Sequence, residues 1–525
     1  MAADPVEAQQ APESFRERMT NVDAAAIWNE RLNKYRNTFV QSADFRINQF
    51  RLGNKECAVL WFASMADQAV LSDKLQHAMD NFFQQKEELQ DNLTLEELCN
   101  RAMPGAGCAV ERDQSRLIDE CLRGKAILLI DGLEGGICIG VVNSNTYRQV
   151  EEPSTQTIIK GPKEGFTESI DINLGLVRRR ITHPGLCFEK FVLGSDTSTT
   201  VYLAFIQGIV NPGILEEARK RLAKAKPNAL FDSGMLEDYI VDKTLTPFPL
   251  IYTTERPDGV CGHLVSGKAA ILVDGSPFVL TIPTVFSDFF QSSEDYYQPF
   301  LISTFVRFIR YLSFLIALLF PAIYISAITY HMELIPTELL FTISSQRENL
   351  PFPVFVEAML MEITFEILRE AGVRMPRAVG PTVSIVGGLV IGTAAVEAGI
   401  VSNIMVIIVA LTAISSFVSP IYNLSVSSRL LRFGLLTLGA LAGFYGVMMG
   451  MMVMIGHMCS IRSFGVPYTA PFGPLNIKDH EDILLRFPLW LLKKRPAYLQ
   501  SPSPVKQPDA HNPSPPKKKK GGQRP

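Results

Sequence analysis

Phe433–Met458 reads FGLLTLGALAGFYGVMMGMMVMIGHM and holds no Asp, Glu, Lys or Arg over 26 residues. A helix of that length covers a hydrocarbon layer of roughly 30 Å, so the stretch is predicted to span a membrane. Gly439 and Gly443, and Gly446 and Gly450, stand four residues apart. Small residues at that spacing let helices approach closely. Ordinary helix packing and an oligomer seam both use the pattern.

Moving outward, Tyr311–Tyr330 is uncharged, follows Arg307 and Arg310, and holds Pro321. It is predicted as a span kinked at the proline. Phe341–Phe352 is too polar and proline-marked for a span. Val354–Glu370, VFVEAMLMEITFEILRE, is apolar but carries Glu357, Glu362, Glu366 and Glu370. The last three fall at i, i+4 and i+8, on one helical stripe. Carboxylates facing lipid are costly, so these face water, protein or a cation. Rings of them around a shared axis would favour cations in a pore. Arg369 and Arg374 stand near the same end, so salt bridging in a packed or surface-lying helix competes with that reading. Thr382–Gly399, with Gly388, Gly392 and Glu397, and Ile404–Leu424, with Pro420, are further apolar segments, and Arg429 and Arg432 precede the last one. Five crossings that start inside leave Arg369–Arg377, Arg429 and Arg432 inside, as the positive-inside trend asks. They leave Lys493-Lys494-Arg495 and Lys517–Lys520 outside, against it.

The 525-residue chain divides into two compositional regimes, soluble up to about Arg310 and membrane-like from Tyr311 to Met458, and its net charge of −3 says little about either. No basic-then-apolar leader opens the sequence, so the soluble part is expected to stay in the cytoplasm. Eight cysteines are scattered with no Cys-x-x-Cys pair, which reads as unpaired thiols in a reducing compartment and speaks against a zinc site.

In the soluble part a helix is expected over Val22–Tyr35, strands over Phe45–Arg51 and Cys57–Met65, and helices over Asp67–Phe83, Thr94–Met103 and Ser115–Arg123. Thr94 and Glu97 make a capping box. Ala126–Gly132, AILLIDG, and Ala270–Gly275, AILVDG, are alike. Both are apolar strands that end in an Asp-Gly turn, so two α/β subdomains, and a diverged duplication or a chance likeness, are the readings. Gly194–Thr200, GSDTSTT, lacks the Gly-Lys-Ser/Thr of a phosphate loop and reads as a turn. The run Arg178-Arg179-Arg180 reads as a solvated face or a set of subunit salt bridges. No aromatic interleaving supports nucleic acid, and no nucleophile, base or metal cluster supports an enzyme or a cofactor.

Several blocks then carry a resemblance. Leu368–Pro376, Val383–Gly392 and Ser463–Tyr468, with Gly161–Phe166, Asn173, Arg178–Arg180, Thr254–Asp258, Asp274–Phe278 and Glu294–Tyr297, resemble the A-subunit family of bacterial spore germinant receptors of the GerA type, over about residues 45–500. One departure is Ser198, where the family pattern has a lysine. The resemblance implies a subunit of the spore inner membrane that works with a transporter-like B-subunit and a lipoprotein C-subunit. It also implies oligomers that admit monovalent cations when nutrients trigger germination; a paralogue of the dipicolinate-channel operon has the same pattern.

The expected fold is an α/β soluble N-terminal region with two subdomains, followed by an α-helical integral membrane domain of four to five spans. The expected parts are a tail and helix (1–40), α/β subdomain one (41–205), subdomain two with its junction (206–305), the transmembrane domain (306–460), a post-membrane segment (461–499) and a disordered Pro/Lys-rich tail (500–525). Glu362, Glu366 and Glu370 are the candidate ion path. Arg178, Arg179, Arg180, Arg369, Arg374 and Glu397 are candidates for gating or subunit contacts. The expected partners are further copies of the chain, the B- and C-subunits, monovalent cations and membrane lipid. A non-conducting scaffold and a secondary transporter are the competing functions.

Overall fold

The structure is a computed structural model that describes residues 13–40, 42–52, 55–84, 94–102, 107–141, 152–153, 155–348, 350–374 and 380–507. The tail before Glu13, residues 375–379, and the tail beyond Gln507 with Lys517–Lys520 lie outside them. The chain forms two units. Unit one holds residues up to Pro153, Lys163–Leu236 and Glu255–Leu280; unit two holds Ser154–Pro162, Glu237–Thr254 and the chain from Thr281.

Helix α1 (Glu13–Thr38) buries Trp28, Leu32 and Tyr35 along one face. It precedes β1 (Phe45–Leu52), β2 (Lys55–Phe62), α2 (Gln68–Gln84), α3 (Leu95–Ala102), β3 (Cys108–Glu111), α4 (Gln114–Leu122), β4 (Ala126–Ile130) and β5 (Gly136–Ile139). The sheet order is β1-β2-β4-β5-β3, with every neighbouring pair antiparallel. Next come α5 (Ile170–Arg180), β6 (Leu186–Leu193), β7 (Thr199–Ile206), α6 (Pro212–Lys224), α7 (Ser233–Ile240), β8 (Tyr252–Thr254), α8 (Pro257–Ser266), β9 (Ala269–Val273) and β10 (Val279–Ile282). Their sheet order is β6-β7-β9-β10-β8.

Both sheets thus have the same succession of helices and strands and the same strand order. The register repeats as well. Cys57 faces Ile130 and Leu60 faces Ile127; Val201 faces Val273 and Ala204 faces Ala270. Asp131 N–H donates to Glu56 O, and Asp274 N–H donates to Thr200 O, at the matching place. Aligned this way, Gly124–Gly132 (GKAILLIDG) matches Gly267–Gly275 (GKAAILVDG), two residues further back than the strands alone show. Gly132 and Gly275 both have positive φ, 78° and 85°, as the Asp-Gly turns need.

The expected helices and strands of this region are present within a few residues, except that α1 starts at Glu13, well before the expected Val22, and the Thr94–Glu97 capping box forms in both directions. The cysteines depart from the expectation in one respect: Cys99, on α3, and Cys108, at the start of β3, form a disulfide. The other six are free.

Unit two contains α9 (Phe300–Tyr330), α10 (Thr337–Arg347), α11 (Val354–Arg374), α12 (Gly380–Glu397), α13 (Asn403–Phe417) and α14 (Tyr422–Ser460), then the short strands β11 (Arg462–Ser463) and β12 (Val466–Pro467). Among the described residues, α9 and α14 are the helices long and apolar enough to cross a membrane.

Helix α14 is not straight. Ala442 and Gly443 leave helical geometry, and Gly443 takes φ 61° and ψ −148°. A Cβ on Gly446 would stand 2.2 Å from the Leu438 carbonyl oxygen, and one on Gly450 would stand 2.7 Å from the Leu435 side chain. In a continuous helix Leu435 and Gly450 would lie about 22 Å apart. The two arms therefore fold back on each other, and Phe433–Met458 is a tight helical hairpin rather than one uninterrupted helix. Each arm is about 25–30 Å long. The glycine pairs serve this close packing inside the chain, together with Gly439 against Ala322 and Ser326 of α9.

The reversal carries the chain back to where the unit begins. Ile421, Leu424, Met454, Met458 and Ile461 share one buried cluster with Phe289 and Phe290. The Ser463 hydroxyl donates to Leu250 O and accepts from Thr284 N–H. Phe464 N–H donates to Asp242, and Tyr468 Oη donates to Pro249 O.

Candidate functional site

The stripe on α11 lies against the first arm of α14. Helix α11 passes Ser402 at Glu357, Arg432 at Glu362, Arg429 at Glu366 and Ser416 at Arg369, so it runs parallel to α13 and antiparallel to that arm. Glu362 is 2% exposed and pairs with Arg432 at 2.8 Å. Glu366 pairs with Arg429 and lies 3.8 Å from Arg369. Arg369 also donates to Ser416 Oγ at 3.3 Å and sits over the Phe417 ring. Glu370 pairs with Arg374 at 2.6 Å on the exposed end of the helix. Side-chain exposure rises along the stripe, from 2% at Glu362 through 36% at Glu366 to 59% at Glu370.

Glu362, Glu366, Arg369, Arg429 and Arg432 thus form one ladder, with three guanidiniums facing two carboxylates. Buried charges survive in an apolar bundle only when paired and hydrogen-bonded. The ladder is nevertheless incompletely satisfied: Glu362 Oε1, Arg369 Nε and Arg432 Nε are buried without a hydrogen-bond partner. Glu397 is separate, exposed at the end of α12.

Two further ionic clusters of unit two were not singled out from the sequence. Glu357 accepts from Ser402 N–H at 2.6 Å and from Ser402 Oγ, and pairs with Arg347 at 2.9 Å. Asp295 holds Arg307 at 3.1 Å and Arg310 at 2.8 Å. The signal for the second was an arginine pair just before an apolar run with an acid one short loop upstream.

The arginine run belongs to unit one. Arg178, on α5, is wholly buried. Its Nε and Nη2 donate to both oxygens of Asp44, at 2.8 and 2.9 Å, and Nη2 reaches Ser42 Oγ and Leu186 O. The guanidinium lies 4.1 Å from the Phe62 ring centre and 4.9 Å from that of Phe188. It therefore clasps the first repeat to the second. Arg179 and Arg180 are half-buried, and Arg180 pairs with Glu164.

Five of the six free thiols are buried, and Cys459 is exposed. Burial pushes Cys57, Cys138 and Cys187 up to about 11 and Cys261 up to about 12. Thiols so held are inert as nucleophiles. Among the described residues no three or more His, Cys, Asp or Glu converge as a metal site.

Residues 33–498 match the family described as Bacillus/Clostridium GerA spore germination protein. The chain belongs to the GerA family. Its relatives include "Spore germination protein KA" of Bacillus subtilis (strain 168), 44% identical over 477 residues, 90% of this chain and 87% of the relative. "Uncharacterized membrane protein YfkQ" of the same organism is 42% identical over 460 residues, 86% and 88% of the two chains. "Spore germination protein GerLA" of Bacillus cereus is 38% identical over 447 residues, 85% and 89%. Among solved structures, the N-terminal domain of the A subunit of the Bacillus megaterium spore germinant receptor GerK3 is 32% identical. That match covers 49% of this chain and 95% of the solved one, with a TM-score of 0.39. By the family match and these relatives, the chain is a member of the GerA-type germinant-receptor A-subunit family with a membrane-associated helical region, and the ladder on α11 lies within that region.

Proposed function

We propose that the chain is the membrane subunit of a spore germination receptor, and that its copies assemble in the spore inner membrane into a nutrient-triggered cation channel. The observation that carries this reading is the ladder on α11. Ionisable groups inside membrane segments are costly and mark ion paths, and these become progressively exposed from Glu362 to Glu370. A monovalent cation arriving at Glu366 and Glu370 would compete with Arg429 and Arg374 for their carboxylates. Glu397, exposed at the end of α12, would then stand where neighbouring copies meet, and Arg369, held inside the ladder, would act in gating. Arg178–Arg180 would couple the soluble repeats during gating. A transporter-like B-subunit and a lipoprotein C-subunit complete the proposed assembly.

In this reading α9, α11, α12, α13 and each arm of α14 cross in turn. The crossings are then even in number, one more than the five read from the sequence. The N-terminal repeats and residues 461–507 fall on one face, the cytoplasmic one. Lys493-Lys494-Arg495 then joins Arg369, Arg374, Arg429 and Arg432 toward the inside, which the positive-inside trend favours.

A non-conducting scaffold is the second reading. It is favoured by the fact that each carboxylate of the stripe already has an arginine of its own chain. The deciding experiment is cation flux into vesicles that hold the purified full-length chain. The channel reading expects flux that falls several-fold in Glu366→Gln with Glu370→Gln while assembly is unchanged. Assembled protein that passes no cations, or flux indifferent to both substitutions, overturns it.

A further inference from the structure

The segment that follows the hairpin has two unlike sides. On one side, Asp482, Ile483 and Arg486 turn inward onto the first turns of α9. Arg307 Nη1 donates to the carbonyl oxygens of Asp482 and Ile483. Thr304 Oγ1 donates to Arg486 O and accepts from Arg486 N–H. Tyr296 Oη donates to Asp482 Oδ2 at 2.8 Å. On the other side, Leu475, Ile477, Leu485 and Leu489 are 71%, 78%, 51% and 51% exposed. Lys478, Lys493 and Lys494 are exposed between and beyond them. Of the neighbouring acids, Asp479 accepts from Ala497 N–H and Asn476, Asp482 is held by Arg307 and Tyr296, and Glu481 is half-buried between them.

The level of this segment follows from α9. That helix has 31 residues, about 46 Å, against a hydrocarbon layer of roughly 30 Å. Its uncharged part begins at Tyr311, after Arg307 and Arg310. The turns that bind Asp482 and Arg486 therefore lie at the headgroup layer. On those turns Leu301, Phe305 and Phe308 are 69%, 63% and 62% exposed. The apolar side of the segment continues that surface around the Thr304–Arg486 contact.

We propose that Leu475–Lys494 lies in the headgroup layer as an interfacial collar and binds anionic phospholipid. Leu475, Ile477, Leu485 and Leu489 enter the acyl boundary, and Lys478, Lys493 and Lys494 meet lipid phosphates. Apolar side chains backed by lysines are what such a surface takes up, and each lysine near an anionic leaflet strengthens association roughly fivefold. The proposal rests on reading α9 as a membrane span.

The segment carries its own probe, Trp490, one of three tryptophans in the chain. The full-length chain with Trp28→Phe and Trp61→Phe, in vesicles of phosphatidylcholine with phosphatidylglycerol, is read with lipids brominated near the headgroup or near the acyl end. Trp490 emission is expected to fall about twofold more with the shallow bromines. The difference should shrink in pure phosphatidylcholine and in Lys478→Gln with Lys493→Gln and Lys494→Gln. Emission quenched by aqueous acrylamide and by neither lipid places the segment in water and overturns the proposal. Emission protected from all three means that protein, a second copy, covers it, and overturns the proposal equally. Hydrogen exchange on the unaltered chain serves if the tryptophan variant does not fold. Amides of 475–494 should exchange several-fold more slowly with phosphatidylglycerol than without. Free exchange there with α9 protected defeats this proposal alone; free exchange in α9 itself defeats the spanning reading.

Discussion

Arg178 sits between two phenylalanine rings with Asp44 as its counter-charge, and nothing near it in the sequence announces that. Three consecutive arginines on a helix point in three directions about 100° apart, so at most one faces a core. Which one does so is decided by Ser42 and Asp44, more than a hundred residues earlier. That is why a solvated run was the natural reading of Arg178–Arg180. Removing one member of a buried pair leaves an uncompensated charge, which costs about 3–5 kcal/mol. Asp44→Ala should therefore lower the unfolding free energy of the purified chain by about that much. Arg178→Met with Asp44→Leu should lose less than the single change, because no charge is stranded. An equal loss would mean that the clasp is not what holds the repeats. Glu237, half-buried on α7, gives a pH-dependent counterpart. Burial, then the charge of Asp238, pushes its carboxyl from 4.5 up to about 7. The folded chain then holds this proton more tightly than the unfolded chain. The stabilisation is whole below the ordinary carboxylate range and is lost as pH rises through about 7. Thermal midpoints in detergent should fall from pH 5 to pH 8 and should fall less in Glu237→Gln; parallel slopes would remove Glu237 as the cause.

At the scale of elements, hydropathy located α9, α11, α12, α13, the stretch of α14 and the stripe of acids, but not α10, and alternation with Asp-Gly turns located the central strands. It did not show that Phe433–Met458 reverses. Glycine is common in straight membrane helices as well as at bends, so Gly443 looks the same in either case. What distinguishes it is a φ of 61°, with a Cβ position 2.8 Å from the His331 ring. The hairpin makes a sharp demand at Gly446, where an added methyl would meet the backbone oxygen of Leu438 at 2.2 Å. Backbone cannot move aside as a flexible side chain does, so Gly446→Ala must pry the arms apart. Gly456→Ala meets nothing within 4 Å and serves as the control. Size-exclusion profiles and thermal midpoints in detergent should show Gly446→Ala aggregated or markedly less stable, and Gly456→Ala unchanged. In a Cys459→Ser background, cysteines at positions 435 and 450 should cross-link readily with a short reagent. Failure to cross-link in well-folded protein would restore the uninterrupted helix.

At the scale of the whole molecule, two features depend on pairing between distant parts of the chain. One is the duplication: the sequence offered two short look-alike strands, but only the repeated strand order and register separate descent from coincidence. The other is where the chain goes after its last apolar stretch. Counting apolar segments gave an odd number of crossings and a basic post-membrane segment on the wrong side. In the proposed topology, the reversal at Ala442 and Gly443 makes the count even. The contacts of Ser463 with Leu250 and Thr284, and of Asp482 with Arg307, hold the returning chain beside the start of α9. A chain emerging on the opposite face could not make these hydrogen bonds without drawing polar groups through the bilayer, where each unsatisfied group costs several kcal/mol. A fluorescent reporter that matures only in the cytoplasm, fused after Gln507, should therefore light up to the same degree as one fused ahead of α1. An export-dependent phosphatase at either place should stay silent. With the phosphatase after His331 instead, where the hairpin tip meets Tyr330, activity should appear. Phosphatase activity at the C-terminal fusion would mean that the arms of α14 do not both cross, and residues 461–507 would then have to be placed on the outer face.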